Sequence, residues 1–323
     1  MITHDISVRL ALVSVVFSGF FFGAATASAA RNDADQGFPG AARVAERLKK
    51  AIEGSELKNG EVGLWVGTTD AEGKIKTVFG QNAEKLFIPA SLSKIATAGA
   101  VMSQLPPGYK FKTQLLHDPS SAKIAGGVLQ GSIYLRGGGD PSFVSENMWF
   151  LVNELTRAGV TKIDGDVIVD DSRFDRVRFG DDRQEERVDR AYDAPVGGMS
   201  MNWNSVNVYI RPGEGLGLPP KIFADVTSPY LKIVNSAKTV AAGRGKTIVV
   251  ERKAEAGFAG DVIVINGAIA ADIPEIVIYK SISQPDKWAG HNLVEFLKQR
   301  GIAVKGSVKT GETPARAVVL AAS

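Results

Sequence analysis

Apolar positions recur along this chain with two periods, and the switches between them divide it into elements. Val44, Leu48 and Ile52 fall on one helical face with arginine and lysine opposite, and Gly54 follows as a stop. Residues 62–67 and 74–79 read as two strands joined by a turn at 70–73. Helical spacing then returns with Leu92, Ile95, Ala96 and Gly99 and holds until Pro106 and Pro107, while Pro89 biases Ile88 toward an extended conformation. Ser91 is thereby predicted in the first turn of a small-residue, largely buried helix. Beyond it the chain reads mostly as strand, at 109–117, 127–135, 162–170, 205–210, 246–251, 262–265 and 275–279. Two helices interrupt this run. Met148, Leu151, Val152 and Leu155 share one apolar face, and Leu293, Phe296 and Leu297 share another that Gly301 closes. Residues 178–190 mix both charges and read as a solvated loop.

The first 30 residues belong to none of these elements. Residues 10–25 are almost free of charge, follow Arg9, and lead into Ala27, Ser28, Ala29 and Ala30, small residues at the spacing of a leader cleavage site. This apolar run is shorter than the ~20 residues that span a bilayer, and charge returns at Arg31 and Asp33. Residues 1–30 are therefore expected to be a signal peptide, and the mature protein to be exported to the periplasm or another extracytoplasmic space.

Composition narrows the chemistry. The 323 residues are 44% hydrophobic and 23% charged, as in an ordinary folded protein of one to three domains. The absence of cysteine excludes disulfides, cysteine nucleophiles and thiolate zinc sites. Lysine and arginine are dispersed among acidic residues at a net charge of +3, which argues against a nucleic-acid partner. The histidines, His4, His117 and His291, have no ligand-like spacing, and His4 lies in the leader. No metal or cofactor is expected, and a Ser-His-Asp triad would rest on two scattered residues. A catalytic serine here would need another base.

Lysine can fill that role, because Ser-x-x-Lys on a helix puts the amine one turn after the hydroxyl on the same face. Such a lysine must be depressed toward neutrality by burial or nearby positive charge, and a nucleophile at a helix start gains free backbone N–H groups that stabilise an oxyanion. The pattern occurs at Ser55/Lys58, Ser91/Lys94 and Ser120/Lys123. Only Ser91/Lys94 follows a hairpin and a proline and opens a helix. On context alone that pair reads either as nucleophile and base or as a capping serine beside a surface lysine.

The surrounding residues carry a resemblance. Phe87-Ile88-Pro89-Ala90-Ser91-Leu92-Ser93-Lys94 resembles the acylation motif of the S13-type D-alanyl-D-alanine carboxypeptidases/endopeptidases, which are low-molecular-mass penicillin-binding proteins. Gly131 through Asp140-Pro141, Ile163 through Asp170 to Phe174, and Tyr192 to Pro195 with Asn202-Trp203-Asn204 resemble that family's inserted domains, in the same order. The resemblance implies a multi-domain α/β fold: the N-terminal part of a β-lactamase/transpeptidase-like domain, then β-rich inserts. It places the first part at 31–110, one insert at 111–140 with 215–323, and a second at 141–214. It further implies acyl transfer from peptidoglycan stem peptides ending in D-Ala-D-Ala, with Ser91 as nucleophile, Lys94 as base and β-lactams as covalent inhibitors.

The family also requires a Ser-x-Asn and a Lys-Thr-Gly. Ser200/Asn202 and Lys309/Thr310/Gly311 match locally, but Ser145/Asn147 and Ser205/Asn207 match the first pattern equally well. By family register Ser200 to Asn204 and residues 304–321 lie inside inserts, so Lys309 to Gly311 is read as part of a surface hairpin; independently, Asp140-Pro141 after three glycines and Asp170-Asp171, with no third ligand for a metal, are read as turns. The true second and third motifs are expected in a C-terminal catalytic segment lying beyond Ser323, so that a separately encoded C-terminal fragment becomes a candidate partner. The expected chain is impaired, with well-formed inserts and an open Ser91 region. Two further readings remain, a non-catalytic wall-binding protein and a compact β-lactamase-like enzyme using Ser91, Ser200, Asn202 and Lys309.

Overall fold

A computed structural model describes residues 40–69, 71–180 and 189–323. The expected leader, the Asp70 position of the predicted turn and the greater part of the 178–190 loop lie outside the described residues. The chain divides into two units, with the boundary between Leu105 and Pro106.

In the first unit, helix α1 (Ala41–Glu53) ends at Gly54, whose N–H donates to the Lys50 carbonyl at 2.9 Å. Strands β1 (Leu64–Thr69) and β2 (Ile75–Gln81) form the predicted antiparallel hairpin, with a bulge between Val66 and Gly67. The Trp65 ring folds over Gly67 so closely that a Cβ there would come within 2.3 Å of it, and its indole N–H donates to Thr77 at 3.2 Å. Helix α2 (Ser93–Gln104) follows. It is helical where the spacing predicts, but none of its residues is buried, contrary to the expected buried helix. The reason is the size of the unit's sheet. A two-stranded hairpin offers too little apolar area to cover a second helix face, and among the described residues of this unit only Phe79 is a buried apolar side chain.

The second unit holds β3 (Gln114–His117), β4 (Lys123–Ala125), β5 (Val128–Gln130), β6 (Ile133–Arg136), α3 (Ser145–Arg157), β7 (Lys162–Ile163) and β8 (Val167–Asp170). There follow β9 (Ser205–Arg211), β10 (Lys221–Asp225), β11 (Leu231–Asn235), β12 (Lys238–Val240), β13 (Val249–Lys253), β14 (Asp261–Asn266), β15 (Ala268–Ala270) and β16 (Ile276–Ser281). Helix α4 (Pro285–Gln299) leads into β17 (Ala303–Val304), β18 (Val308–Thr310) and β19 (Val318–Ala322). A five-stranded sheet runs β18-β8-β6-β3-β19 and a four-stranded one β17-β7-β5-β4. Two three-stranded sheets, β10-β9-β16 and β11-β14-β13, and the pair β12-β15 complete the unit. This is the mixed α/β, many-sheeted architecture expected.

Helices α3 and α4 pack on each other and on the five-stranded sheet. Their apolar faces, with Met148, Leu151, Val152 and Leu155 from one and Trp288, Leu293 and Leu297 from the other, enter one core with Leu135, Val167 and Val169. The approach is close at Gly290, where a Cβ would lie 2.5 Å from Val308 and 2.7 Å from Val169.

Residues 304–320 do not form the expected hairpin. β18 pairs in parallel with β8 at one edge of the five-stranded sheet, and β19 pairs antiparallel with β3 at the opposite edge. Each strand satisfies its backbone with a distant partner, so no ladder forms between them. The sheets also join stretches expected in different inserts, since β8 lies between β6 and β18.

Candidate active site

Ser91 and Lys94 are placed by a sharp change of backbone. Ala90 sits at φ 44°, in the left-handed region, and residues Ala90–Leu92 form a single 3-10 turn before α2 begins. The Leu92 N–H donates to the Pro89 carbonyl at 2.9 Å, and the Ser93 hydroxyl to the Ala90 carbonyl at 2.8 Å, which closes the turn. Ser91 therefore precedes the α-helix proper by one tight turn, and Lys94 lies in the helix's first turn. Three residues of advance bring the amine over the hydroxyl: Lys94 Nζ donates to Ser91 Oγ at 3.0 Å. A lysine amine at hydrogen-bond distance from a serine hydroxyl is the geometry that lets it, once neutral, take the hydroxyl proton. Both residues are exposed, as are Ile88, Leu92 and Ile95 around them, with Ile88 94% accessible. An open groove of about 500 Å³ lies in the same unit, lined by residues that include Trp65, Phe87 and Leu92.

The other two Ser-x-x-Lys matches are engaged otherwise. Ser55 donates to the Ile52 carbonyl at 2.8 Å and accepts from the Leu57 N–H at 3.1 Å, capping a short 3-10 turn. Ser120 donates its hydroxyl to Asp118 at 2.8 Å.

The local Ser-x-Asn matches are fastened to one another. Asn202 accepts from the Ser145 N–H at 3.0 Å and donates to the Ser145 hydroxyl at 2.9 Å, tying residues 57 apart at the start of α3. Asn147 accepts from the Val144 N–H at 3.0 Å and donates to the Ser323 hydroxyl at 3.1 Å. Ser205 donates to the Asn202 carbonyl at 2.9 Å. Ser200, half-buried, precedes this turn.

Lys309, Thr310 and Gly311 do stand on a strand, β18, or at its end, but each is held within its own unit. Lys309 pairs with Asp166 at 2.6 Å, the Thr310 hydroxyl donates to Asp286 at 2.6 Å, and the Gly311 N–H donates to the Val169 carbonyl at 3.0 Å. The Lys309 ammonium, with the Ser307 N–H, holds the Asp166 carboxyl below its ordinary range.

Asp140 and Asp170 stand in turns, as their sequence context predicts, and Asp118 shares the same local device. Asp118, Asp140 and Asp170 each accept from both the N–H and the hydroxyl of the serine two residues on, Ser120, Ser142 and Ser172. These are Asx turns. Asp170 also accepts from the Thr313 N–H at 2.8 Å, and Asp171 accepts from the Met199 N–H at 2.6 Å while pairing with Arg178. Among the described residues no group of three acidic or histidine side chains is placed to hold a metal ion.

The chain belongs to the D-Ala-D-Ala carboxypeptidase 3 (S13) family, whose pattern it matches over residues 44–323. It is 28% identical over 244 residues to a D-alanyl-D-alanine carboxypeptidase of Actinomadura sp. (strain R39), covering 74% of this chain and 44% of that protein. It is 24% identical over 247 residues to the D-alanyl-D-alanine carboxypeptidase DacB of Haemophilus influenzae, covering 74% of this chain and 49% of that one. The chain thus spans about half the length of the curated relatives it matches. The crystal structure of penicillin binding protein 4 (dacB) from Haemophilus influenzae superposes with a TM-score of 0.65 at 20% identity, over 82% of this chain and 56% of that one, which establishes a shared fold.

Proposed function

We propose that this chain carries the acylating half of a serine-type D-Ala-D-Ala carboxypeptidase/endopeptidase acting on peptidoglycan stem peptides, with Ser91 as nucleophile and Lys94 as base. The observation that supports it most is the 3.0 Å contact between Lys94 Nζ and Ser91 Oγ at the start of a helix. Lys94 takes the Ser91 proton as Oγ attacks the carbonyl of the penultimate D-alanine. The terminal D-alanine leaves as the amine, receiving a proton, and water then hydrolyses the acyl-serine ester. A β-lactam presents the same carbonyl in a strained ring and leaves Ser91 acylated, in keeping with a relative called a penicillin binding protein.

The finer parts of the reading concern place and completeness. Substrate of this kind lies outside the cytoplasm, so residues 1–30 serve as a cleaved leader and the protein acts in the periplasm or another extracytoplasmic space. No helix among the described residues is long and apolar enough to cross a membrane. A compact β-lactamase-like site built with Ser200, Asn202 and Lys309 is disfavoured, because Asn202 and Lys309 are already bonded to Ser145 and Asp166. The second and third catalytic elements come instead from further polypeptide, for which a separately encoded C-terminal fragment is the candidate partner. That the match covers 44% and 49% of the two curated relatives, and that the apolar side chains of Ile88, Leu92, Ile95 and Met102 are uncovered, supports this.

The test is covalent labelling of purified protein, lacking residues 1–30, with a fluorescent penicillin. Slow labelling is expected in the wild type and none in Ser91→Ala. Label that survives in Ser91→Ala removes Ser91 as nucleophile. No label from folded wild-type protein removes the chain as an acylation unit on its own and favours a wall-binding role for the second unit.

A further inference from the structure

One exposed sheet face takes no part in the site described above. On β9 the side chains of Val206, Val208 and Ile210 enter the core, so Asn207, Tyr209 and Arg211 share the opposite face. Antiparallel pairing brings Phe223 of β10 and Val277 of β16 directly beside Tyr209, and Asp225 and Tyr279 beside Asn207. The result is two neighbouring rows across the sheet, Phe223-Tyr209-Val277 and Asp225-Asn207-Tyr279. Phe223 and Tyr279 are each 56% accessible, far more than core packing allows for rings of this size. Tyr209 and Phe223 lie 5.9 Å apart with their planes 44° to each other, beside an open groove of about 500 Å³ lined partly by Arg211, Lys221, Asp225 and Glu275.

We infer that this face of the β10-β9-β16 sheet binds a glycan strand, the polysaccharide backbone of the cell wall. Charge excludes polyanions: every cation on the three strands is matched by a carboxylate, Arg211 by Glu275 at 2.5 Å, Lys221 by Glu214 at 2.7 Å and Lys280 by Asp189 at 2.5 Å. Size disfavours a protein partner. Three strands span about 10 Å across, which suits one polymer chain and falls short of the roughly 800 Å² per partner of a stable protein interface. Chemistry favours a sugar. A pyranose ring offers an apolar C–H face, which the electron-rich face of Tyr or Phe attracts, and a rim of hydroxyl and amide groups that need hydrogen-bond partners. Phe223, Tyr209 and Tyr279 supply the first, and Asn207, Asp225 and Arg211 the second. The tilt between Tyr209 and Phe223 presents two platforms at an angle, as successive rings of a twisting polysaccharide require.

That the glycan is that of the wall rests on the peptidoglycan reading above, and the experiment separates the two. The full chain without residues 1–30 is titrated with a β-1,4-linked N-acetylglucosamine hexasaccharide, and sedimented with insoluble chitin, the uncharged polymer of the same sugar. Binding is expected in both, with Phe223→Ala and Tyr279→Ala each weakening it about tenfold. Tyr279→Phe, which keeps the ring, and Ser91→Ala, which disables the proposed nucleophile, are expected to bind as the wild type does. Penicillin labelling of Phe223→Ala is expected to be unchanged, so failure of the glycan site and failure of the acylation site give different patterns. No binding to either glycan, or equal binding by the alanine variants, overturns the inference. So does an analytical ultracentrifugation result in which the face proves to be a dimer contact, with wild type dimeric, Phe223→Ala monomeric and neither retained by glycan.

Discussion

The side chains that look catalytic by motif and those that are geometrically poised for chemistry separate once their bonds are traced. Asn202 spends its amide on both the backbone and the hydroxyl of Ser145. Replacing it with alanine removes both bonds, so Asn202→Ala is expected to lower unfolding free energy by about 2 kcal/mol in urea denaturation while leaving penicillin labelling intact. Lys94→Met is expected to do the reverse, because Lys94 is exposed and its contact is with Ser91: thermal stability holds and labelling is lost. Asp118 gives a pH signature. The Arg316 guanidinium, with the Ser120 N–H and hydroxyl, holds its carboxyl well below the usual carboxylate range. A depressed carboxylate contributes stability that is present above its unfolded pKa of about 4 and lost as pH falls toward the folded value. Asp118→Asn is therefore expected to be less stable than the wild type at pH 7, with the difference shrinking as pH drops below about 4. A difference that grows in acid would contradict the role of the Arg316 pair. At this scale the Ser91–Lys94 spacing was legible because it is local to one helical turn. The Asn202–Ser145 tie was not, since no local pattern links residues 57 apart.

Elements were legible where their own periodicity decided them and illegible where a distant partner did. α1, the β1–β2 hairpin, α3, β9 and β14 lie where spacing put them, because each buries or displays one face along a continuous pattern. β18 and β19 show the limit: their sequence suits a hairpin, yet two opposite sheet edges capture them. α2 shows another, since helical spacing of small residues fixes a helix but does not say what covers it. The packing of α4 on the five-stranded sheet carries a prediction of its own. With Val308 and Val169 methyl groups 2.5 and 2.7 Å from any added Cβ, Gly290→Ala has no room without moving β18 or β8. Overpacking of this kind is expected to cost about 2 kcal/mol, against the gain in helix propensity that alanine brings at an unobstructed site. Equilibrium urea unfolding reads the sign: a more stable Gly290→Ala would mean that the sheet yields.

Across the whole molecule, burial is distributed unevenly, and that sets an order of stability between the two units. Nearly all of the buried apolar side chains belong to the second unit, where two helices and the five-stranded sheet close around Leu135, Val169, Trp288 and Leu293. The first unit has Phe79 as its buried apolar residue among those described, and a two-stranded sheet of that kind is marginal by itself. Local opening follows apolar burial, so amides of β1, β2 and α2 are expected to exchange hydrogen much faster than those of β6, β8 and β14. Limited proteolysis is then expected to erode residues before Leu105 and leave a fragment beginning near Pro106. Purified, that fragment should unfold in one cooperative urea transition at nearly the midpoint of the undigested chain, because its core is carried with it. It should also still bind the glycan hexasaccharide, since β9, β10 and β16 all lie within it, while labelling by penicillin disappears with Ser91. A fragment that is protease-sensitive throughout would show that the second unit's core depends on the first, and a slow-exchanging α2 would show that its apolar face is covered in solution.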